Sequence, residues 1–360
     1  MTKHKFLGLL LTAVFLAFSV FGCSALKEDP GLSVDADGTL RVHYIDVGQG
    51  DCTLLQTPDN KNILIDTGNP ENYDTINIYL KAQKVEKLDV MLITHPHSDH
   101  MGSAEKILKN YAVESVYLPK VAHNTMLFEN FMKALSEKGL KANAAYAGIS
   151  ILAGDAVSID LFSPIEGKSY TELNDYSPIA RVAYGETSFL FTGDGENEDE
   201  QDAIAQAGLK LKSDVLKVGH HGSDTSTGEL FLSLVNPQYA VISVGRDNTY
   251  GHPSENTLNK LKGKGKTIFQ TDREGNVVAI SDGQGISFIT QNSGKMENPA
   301  SADESPAISA DPMVYIGNTK TKKFHLPSCS GLPKADNQTT FKSRNDAVGQ
   351  GYTPCGICKP

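Results

Sequence analysis

Thr94-His95-Pro96-His97-Ser98-Asp99-His100-Met101-Gly102 sets three histidines and an aspartate within six residues. It follows Leu88-Asp89-Val90-Met91-Leu92-Ile93, an apolar, β-branched run that reads as a buried strand. At the mouth of a strand the backbone is held firmly, while the loop beyond it can turn alternate side chains inward. His95 and His97 can then grip one ion while Asp99 and His100 reach a second. Imidazole and carboxylate suit borderline divalent ions such as zinc, at bond lengths of ~2.0–2.2 Å. A histidine-rich surface loop is the plain alternative, and both the spacing and the preceding strand count against it.

Upstream, Arg41-Val42-His43-Tyr44-Ile45-Asp46-Val47 alternates as a strand, Gly48-Gln49-Gly50-Asp51 turns it, and Cys52-Thr53-Leu54-Leu55-Gln56 returns as a hairpin arm. A third strand over 62–66 ends in Asp66-Thr67-Gly68. Helical periodicity follows over 73–83, another helix starts near His100, strand character resumes at 115–118, and 125–139 is an amphipathic helix. The second half repeats the scheme. Strands are expected near 156–162, 180–184, 188–192, 214–218, 239–244, 267–270, 277–280 and 286–289, with helices near 196–206, 227–234 and 254–261. Two halves of sheet then helix imply two sheets face to face with helices outside, so that loops at the strand ends meet at one edge.

Those loops hold further candidate ligands. Phe191-Thr192-Gly193-Asp194-Gly195 sets Asp194 at a strand end, where a carboxylate can bridge two ions, and Lys217-Val218-Gly219-His220-His221-Gly222-Ser223 and Asn248-Thr249-Tyr250-Gly251-His252-Pro253 repeat the pattern with histidine. One such residue alone is more often a cap or a solvated polar group. Four such loops after strands are not.

The termini are of other kinds. Lys3-His4-Lys5, the mainly apolar run 6–22 and then Cys23 make a signal peptide over 1–22. Val20-Phe21-Gly22-Cys23-Ser24 resembles the lipobox of bacterial lipoproteins, with Phe21 larger than the usual residue there. This implies a lipidated Cys23, a tether over 23–38, and a chain on the outer face of the cytoplasmic membrane, or else secreted. The 360 residues exceed one typical domain, and the net charge of −10 argues against a general nucleic-acid coat without excluding local basic grooves. Of the five cysteines, Cys52 sits in a strand as a small buried thiol, and three cluster near the C-terminus.

Together, Asp46-Val47-Gly48-Gln49-Gly50-Asp51, Asp66-Thr67-Gly68, the His95–His100 motif, Thr192-Gly193-Asp194, His220-His221-Gly222-Ser223 and Tyr250-Gly251-His252-Pro253 resemble the metallo-β-lactamase-fold hydrolases. The likeness is closest to soluble relatives of the DNase domain in ComEC-type competence proteins. It implies an αββα sandwich over 39–290 with a dinuclear site of Zn or Mn. His95 and His97 would hold the first ion, Asp99, His100 and His252 the second, and Asp194 would bridge them. The family often supplies a third histidine to the first ion; His123 is the nearest upstream candidate and His221 an alternative. Asp46 and Asp66 would orient histidine ligands, a strand-end turn being the other role open to them. A metal-activated hydroxide would attack the substrate, with Asp99 among the catalytic residues and His220 or His221 protonating the leaving group.

After a Ser-, Pro- and Ala-rich linker over 291–312, the segment 313–360 brings His325-x3-Cys329 and Cys355-x2-Cys358, a closed Cys3His set with the spacing of a structural zinc site. Fewer than fifty residues build little core, so the metal would supply folding energy; a Cys355–Cys358 disulfide is the rival. The module resembles the zinc-binding domain of the DNA-repair protein Ada, with His325 where Ada carries its methyl-accepting cysteine, which argues against methyl transfer. Its seven basic residues against Asp336 and Asp346 suit phosphate contact. The sequence thus points to an exported, metal-dependent phosphodiesterase or nuclease acting on extracellular DNA, in company with competence or uptake machinery. A cell-wall phosphorylcholine esterase, another esterase of the same fold, and a non-catalytic DNA-capture accessory are the alternatives.

Overall fold

Parallel neighbours in a sheet all end on one side, and that determines where this chain collects its polar loops. In a computed structural model, residues 38–152, 155–294, 296–297, 315–326, 329, 331–334, 337–341, 344–356 and 358 are described. Asn62–Ile65, Lys87–Leu92 and Ala112–Leu118 run parallel in the first sheet. Thr187–Phe191, Val215–Lys217, Tyr239–Ile242 and Thr267–Gln270 run parallel in the second. The loops after residues 65, 92, 191, 217 and 242 are the ones that carry the motifs.

The first sheet has nine strands. From one edge they are Met296–Glu297, Ile286–Thr290, Val277–Ser281, Leu40–Tyr44, Thr53–Gln56, Asn62–Ile65, Lys87–Leu92, Ala112–Leu118 and Ala142–Ala144. The second has seven: Thr267–Gln270, Tyr239–Ile242, Val215–Lys217, Thr187–Phe191, Ala180–Tyr184, Val157–Leu161 and Ser150–Leu152. Alternate residues of facing strands, among them Val42, Tyr44, Ile65, Val182, Phe189 and Phe191, form one core between the sheets. Tyr44 stacks on Phe191 with ring centroids 6.0 Å apart. The outer face of the first sheet is covered by Tyr73–Ala82, Ala104–Asn110 and Met126–Glu137, and that of the second by Asn197–Ala207, Glu229–Val235 and Glu255–Gly263. The αββα sandwich implied by the resemblance is therefore the observed architecture. Met126–Glu137 shows how local rules serve it: Thr125 Oγ1 caps the helix by accepting from Phe128 N, and Phe131, Ala134 and Leu135 recur at helical spacing on the buried face.

Three local differences from the sequence reading have physical causes. The helix expected near His100 is two, Ser98–Met101 and Ala104–Asn110. They part near Gly102, where a Cβ would lie 2.4 Å from the backbone of Asn69, Pro70 and Ser98. The edge strands Ala142–Ala144 and Ser150–Leu152 were not expected, because three residues are too few to show alternation. Met296–Glu297 pairs with Ile286–Thr290 inside the expected linker, since a sheet edge recruits backbone whatever its side chains.

The chain divides into two compact units at residues 299 and 300. The second holds a four-stranded sheet in the order Gln338–Phe341, Tyr315–Asn318, Lys323–His325, Thr353–Pro354. Among the described residues its core is Tyr315, Phe324, Phe341, Ala347 and Tyr352, with Leu326 against it. Among the described residues no helix is long and apolar enough to cross a membrane. The expected signal peptide, Cys23 and most of the tether and linker lie outside the described residues.

Glu200 tests the second sheet's helical layer. Its carboxylate accepts from Thr227 N and Gly228 N, yet burial outweighs these bonds and pushes its pKa up to about 7. With the folded pKa above the ordinary 4.5, the folded state binds more protons in that window, so the group's stabilising contribution is lost as pH rises through about 7. Chemical denaturation of the main unit at pH 5 and 8 is expected to show a loss roughly 3 kcal/mol larger in the wild type than in Glu200→Gln.

Candidate metal centre

Asp194 Oδ2 is the hub of the polar edge. The Nε2 atoms of His100, His221, His220 and His95 lie 3.2, 3.5, 3.8 and 4.0 Å from it. The side chain is 3% exposed. Asp194 stands just after Thr187–Phe191, where Gly193 takes φ +50 and a Cβ would meet Ser177 and Thr94 at 2.9 Å. Ser177 Oγ accepts from Asp194 N and fixes the turn.

The histidines come from two loops, and each has its Nδ1 tied so that Nε2 faces the hub. His100 sits in the short helix Ser98–Met101 and donates from Nδ1 to Asp66 Oδ2 at 2.8 Å. Asp66 is itself held by Thr94, whose N and Oγ1 donate to its two oxygens at 2.8 and 2.7 Å. His221 donates from Nδ1 to the carbonyl of Ser243 at 2.9 Å and lies 3.3 Å from Asp51 Oδ1. Asp51 Oδ2 is 2.8 Å from Nζ of Lys217, a lysine whose side chain is only 2% exposed. An imidazole with Nδ1–H engaged presents its Nε2 lone pair outward, the form a metal takes. Asp99 Oδ2 completes the group, 3.3 Å from His221 Nε2 and 3.8 Å from His100 Nε2.

The donors fit a cation. His100 Nε2, His221 Nε2 and Asp194 Oδ1 are buried with no hydrogen-bond partner, an arrangement costly for a closed core. The ligating atoms of Asp99, His100, Asp194 and His221 lie within 4.8 Å of one another. Electrostatics agree. Burial opposes charge on His100, yet Asp194, Asp66 and Asp99 hold it well above its usual range. Burial opposes charge on His221 too, and Asp194, Asp51 and Asp99 lift it to about 10. The carboxylates call for positive charge here, which protons on these rings or a metal ion supply. His95 and His97 form a second pair of donors, with His95 Nε2 and His97 Nδ1 2.9 Å apart. Burial lowers both, so they stand as neutral imidazoles suited to ligation.

Several residues sit elsewhere than the sequence reading set them. His221, not His252, joins Asp99, His100 and Asp194. The cause is the turn Gly219–Gly222, in which His220 and His221 take left-handed φ values of 47 and 52 and aim in different directions, His221 into the core and His220 to the mouth. His252 packs edge-on to His220 at 5.4 Å. His220 Nδ1 lies 3.1 Å from Glu196 Oε1 and 3.4 Å from Thr225 Oγ1. His123 donates from Nδ1 to the Pro96 carbonyl, its ring 6.0 Å from that of His97. Asp66 stands behind a histidine, but Asp46 accepts from Gly48 N and so closes its own turn; Asp51 occupies the place beneath His221. Sequence reasoning assigned no role to Asp51, Lys217 or Glu196. A lysine closing the otherwise apolar strand Val215–Lys217 was the available signal.

These groups floor a cavity of about 420 Å³ whose walls include Gln49, His123, Asn174 and Tyr250. A larger hollow of about 620 Å³ on the outer face of the second sheet, beside Arg181, Asp160 and Lys210, holds no such convergence among the described residues.

In the second unit, ligating atoms of His325, Cys329, Cys355 and Cys358 lie within 4.8 Å of one another. His325 Nε2 is buried without a hydrogen-bond partner, and no disulfide joins the described cysteines. Leu326 N donates to Cys358 Sγ and Gly331 N to Cys329 Sγ, both at 3.4 Å, the bonds a thiolate cage favours. The set fits one tetrahedral ion.

The Metallo-beta-lactamase superfamily matches residues 45–246, and the metal binding domain of Ada matches 303–360. ComE operon protein 3 of Bacillus subtilis is 31% identical over 75% of this chain and 35% of its own length. Competence protein ComA of Neisseria gonorrhoeae is 31% identical over 64% of this chain and 30% of its own. Recombination protein 2 of Haemophilus influenzae is 32% identical over 62% and 26%. The chain thus spans about a third of the length of these relatives.

Asp66→Asn keeps an acceptor for Thr94 but offers His100 Nδ1 an amide; ion affinity of the main unit, read by competition with a chromophoric chelator, is expected to fall 10- to 100-fold. Asp46→Ala is expected to leave it unchanged. Cys355→Ser is expected to remove one ion per chain and to collapse the amide signals of 315–358 while those of the main unit persist.

Proposed function

This chain belongs to the metallo-β-lactamase superfamily as a metal-dependent hydrolase, and we propose that the bond it cleaves is a phosphodiester of DNA. The observation that carries the reading is Asp194 Oδ2 within 4.0 Å of four histidine Nε2 atoms, a carboxylate that two ions could share. His95 and His97 would hold one, with His123 behind them, and Asp99, His100 and His221 the other. Ions bound there supply Lewis acidity toward a phosphoryl oxygen and lower the pKa of water. The chain's own residues do the rest. Asp66 and the Ser243 carbonyl hold His100 and His221 in one tautomer. Glu196 anchors His220 from Nδ1, so that Nε2 faces the cavity and can pass a proton to the leaving oxygen. Asp99 turns one oxygen to the histidines from the cavity's edge.

Support for DNA comes from relatives named for competence and recombination, and from a second unit matched by the metal binding domain of Ada. That unit, with its basic residues, would take one zinc and touch the phosphate backbone. The apolar leader and Cys23 support export and a lipid anchor, which would place the site outside the cytoplasm.

The test uses the chain from Ser24 onward with single- and double-stranded DNA and Zn²⁺, Mn²⁺ or Mg²⁺. Metal-dependent cleavage is expected, absent in Asp99→Ala with His100→Ala. A wild-type protein that binds two ions in its main unit yet cuts neither strand form would end the DNA reading.

A further inference from the structure

We propose that Tyr250, backed by His252, is a stacking platform for a nucleobase next to the phosphodiester at the metal centre, an inference that rests on the function proposed above. Tyr250 is 70% exposed, among the most exposed large side chains of the described residues. Its ring lies nearly parallel to that of His252, 25° between planes and 5.8 Å between centroids. Single exposed aromatic residues are common on protein surfaces. This one lines the same cavity as Asp99, Asp194, His220 and His221, two ring contacts out from the hub through His252 and His220.

The loop beneath is already ordered. The Asn248 amide donates to the carbonyls of Gly245 and His252, and its oxygen accepts from the backbone N of Tyr250 and of His252. One side chain therefore pins both ends of the short loop, and a ligand stacking on Tyr250 would order little that is loose. The ring stacks partly on His252 and is otherwise largely open to solvent, a surface that suits a flat ligand. A quaternary ammonium group asks for a cage of several aromatic rings. The rest of this cavity wall offers no second Tyr, Phe or Trp among the described residues, only the imidazoles of His97 and His123 beside Gln49, Asn174, Thr125 and Leu127. Stacking tolerates any base, so the platform would add affinity without sequence preference.

The experiment compares wild type, Tyr250→Ala and Tyr250→Phe on a short single-stranded oligonucleotide in which one linkage is an ordinary phosphodiester and the rest resist cleavage. The nucleotide beside that linkage carries either a base or an abasic sugar. Metal content of each variant is measured alongside. Tyr250→Ala is expected to raise KM roughly tenfold on the base-bearing substrate and to leave it unchanged on the abasic one, with Tyr250→Phe near wild type on both. An equal change on both substrates, or none on either, overturns the platform. Anisotropy of the labelled oligonucleotides separates this from the fate of the nuclease reading. If the wild type cuts neither substrate, that reading falls, and the platform stands or falls on whether binding favours the base-bearing strand only when residue 250 is aromatic.

Discussion

A carboxylate with 3% exposure among four imidazoles is not a stable arrangement unless every charge near it is answered. Asp194 is held well below the usual carboxylate range against its own burial, by His100, His221 and His95. Those rings are answered in turn: His100 by Asp66, His221 by Asp51 and the Ser243 carbonyl, Asp51 by Lys217. Burial opposes charge on Asp51, yet the Lys217 ammonium and the two histidines bring it down to about 2. The network is built from strand ends of both sheets, so it forms only when the two sheets meet face to face. Site and sandwich are one construction.

That dependence explains how much of the site could be read from the chain. Motif residues sit directly after apolar strands, and parallel strands bring such loops to one edge; His95, His97, Asp99, His100 and Asp194 were therefore legible as a cluster. Which of two adjacent histidines faces inward was not. His220 and His221 are equivalent as letters, and only their left-handed turn sends one into the core and the other to the mouth. The family resemblance set His252 among the ligands of the second ion; here Asn248 ties its loop and the ring packs against His220, outside the group of Asp99, His100, Asp194 and His221. Asp46 and Asp51 are five residues apart around one turn. Nothing in their spacing tells which closes the turn and which supports a histidine.

The second unit obeys a different constraint. Among the described residues the core of this unit is five buried side chains around a short sheet, little to set against the conformational entropy of some fifty residues. The three cysteines and His325 stand where the missing core would be, which is why their spacing was readable: in so small a module the ligands are the fold. The main unit has three apolar cores of its own, so its layers do not rest on its ligands alone.

Within the main unit the polar edge divides by burial. The floor, His95, His100, Asp194 and His221, is at most 3% exposed in its side chains, and each side chain has a fixed hydrogen-bond partner or a facing ligand. Small displacements there would strand a buried charge, so the floor tolerates little change. The rim, His220, Asp99 and Tyr250, is partly open to water: His220 and Asp99 each face the floor through one atom, and Tyr250 reaches it only by way of His252 and His220. A change at Tyr250 leaves the charge network intact, whereas one at Asp99 does not. On such a scaffold the floor sets the class of bond that can be broken, and the rim sets which molecule is held against it.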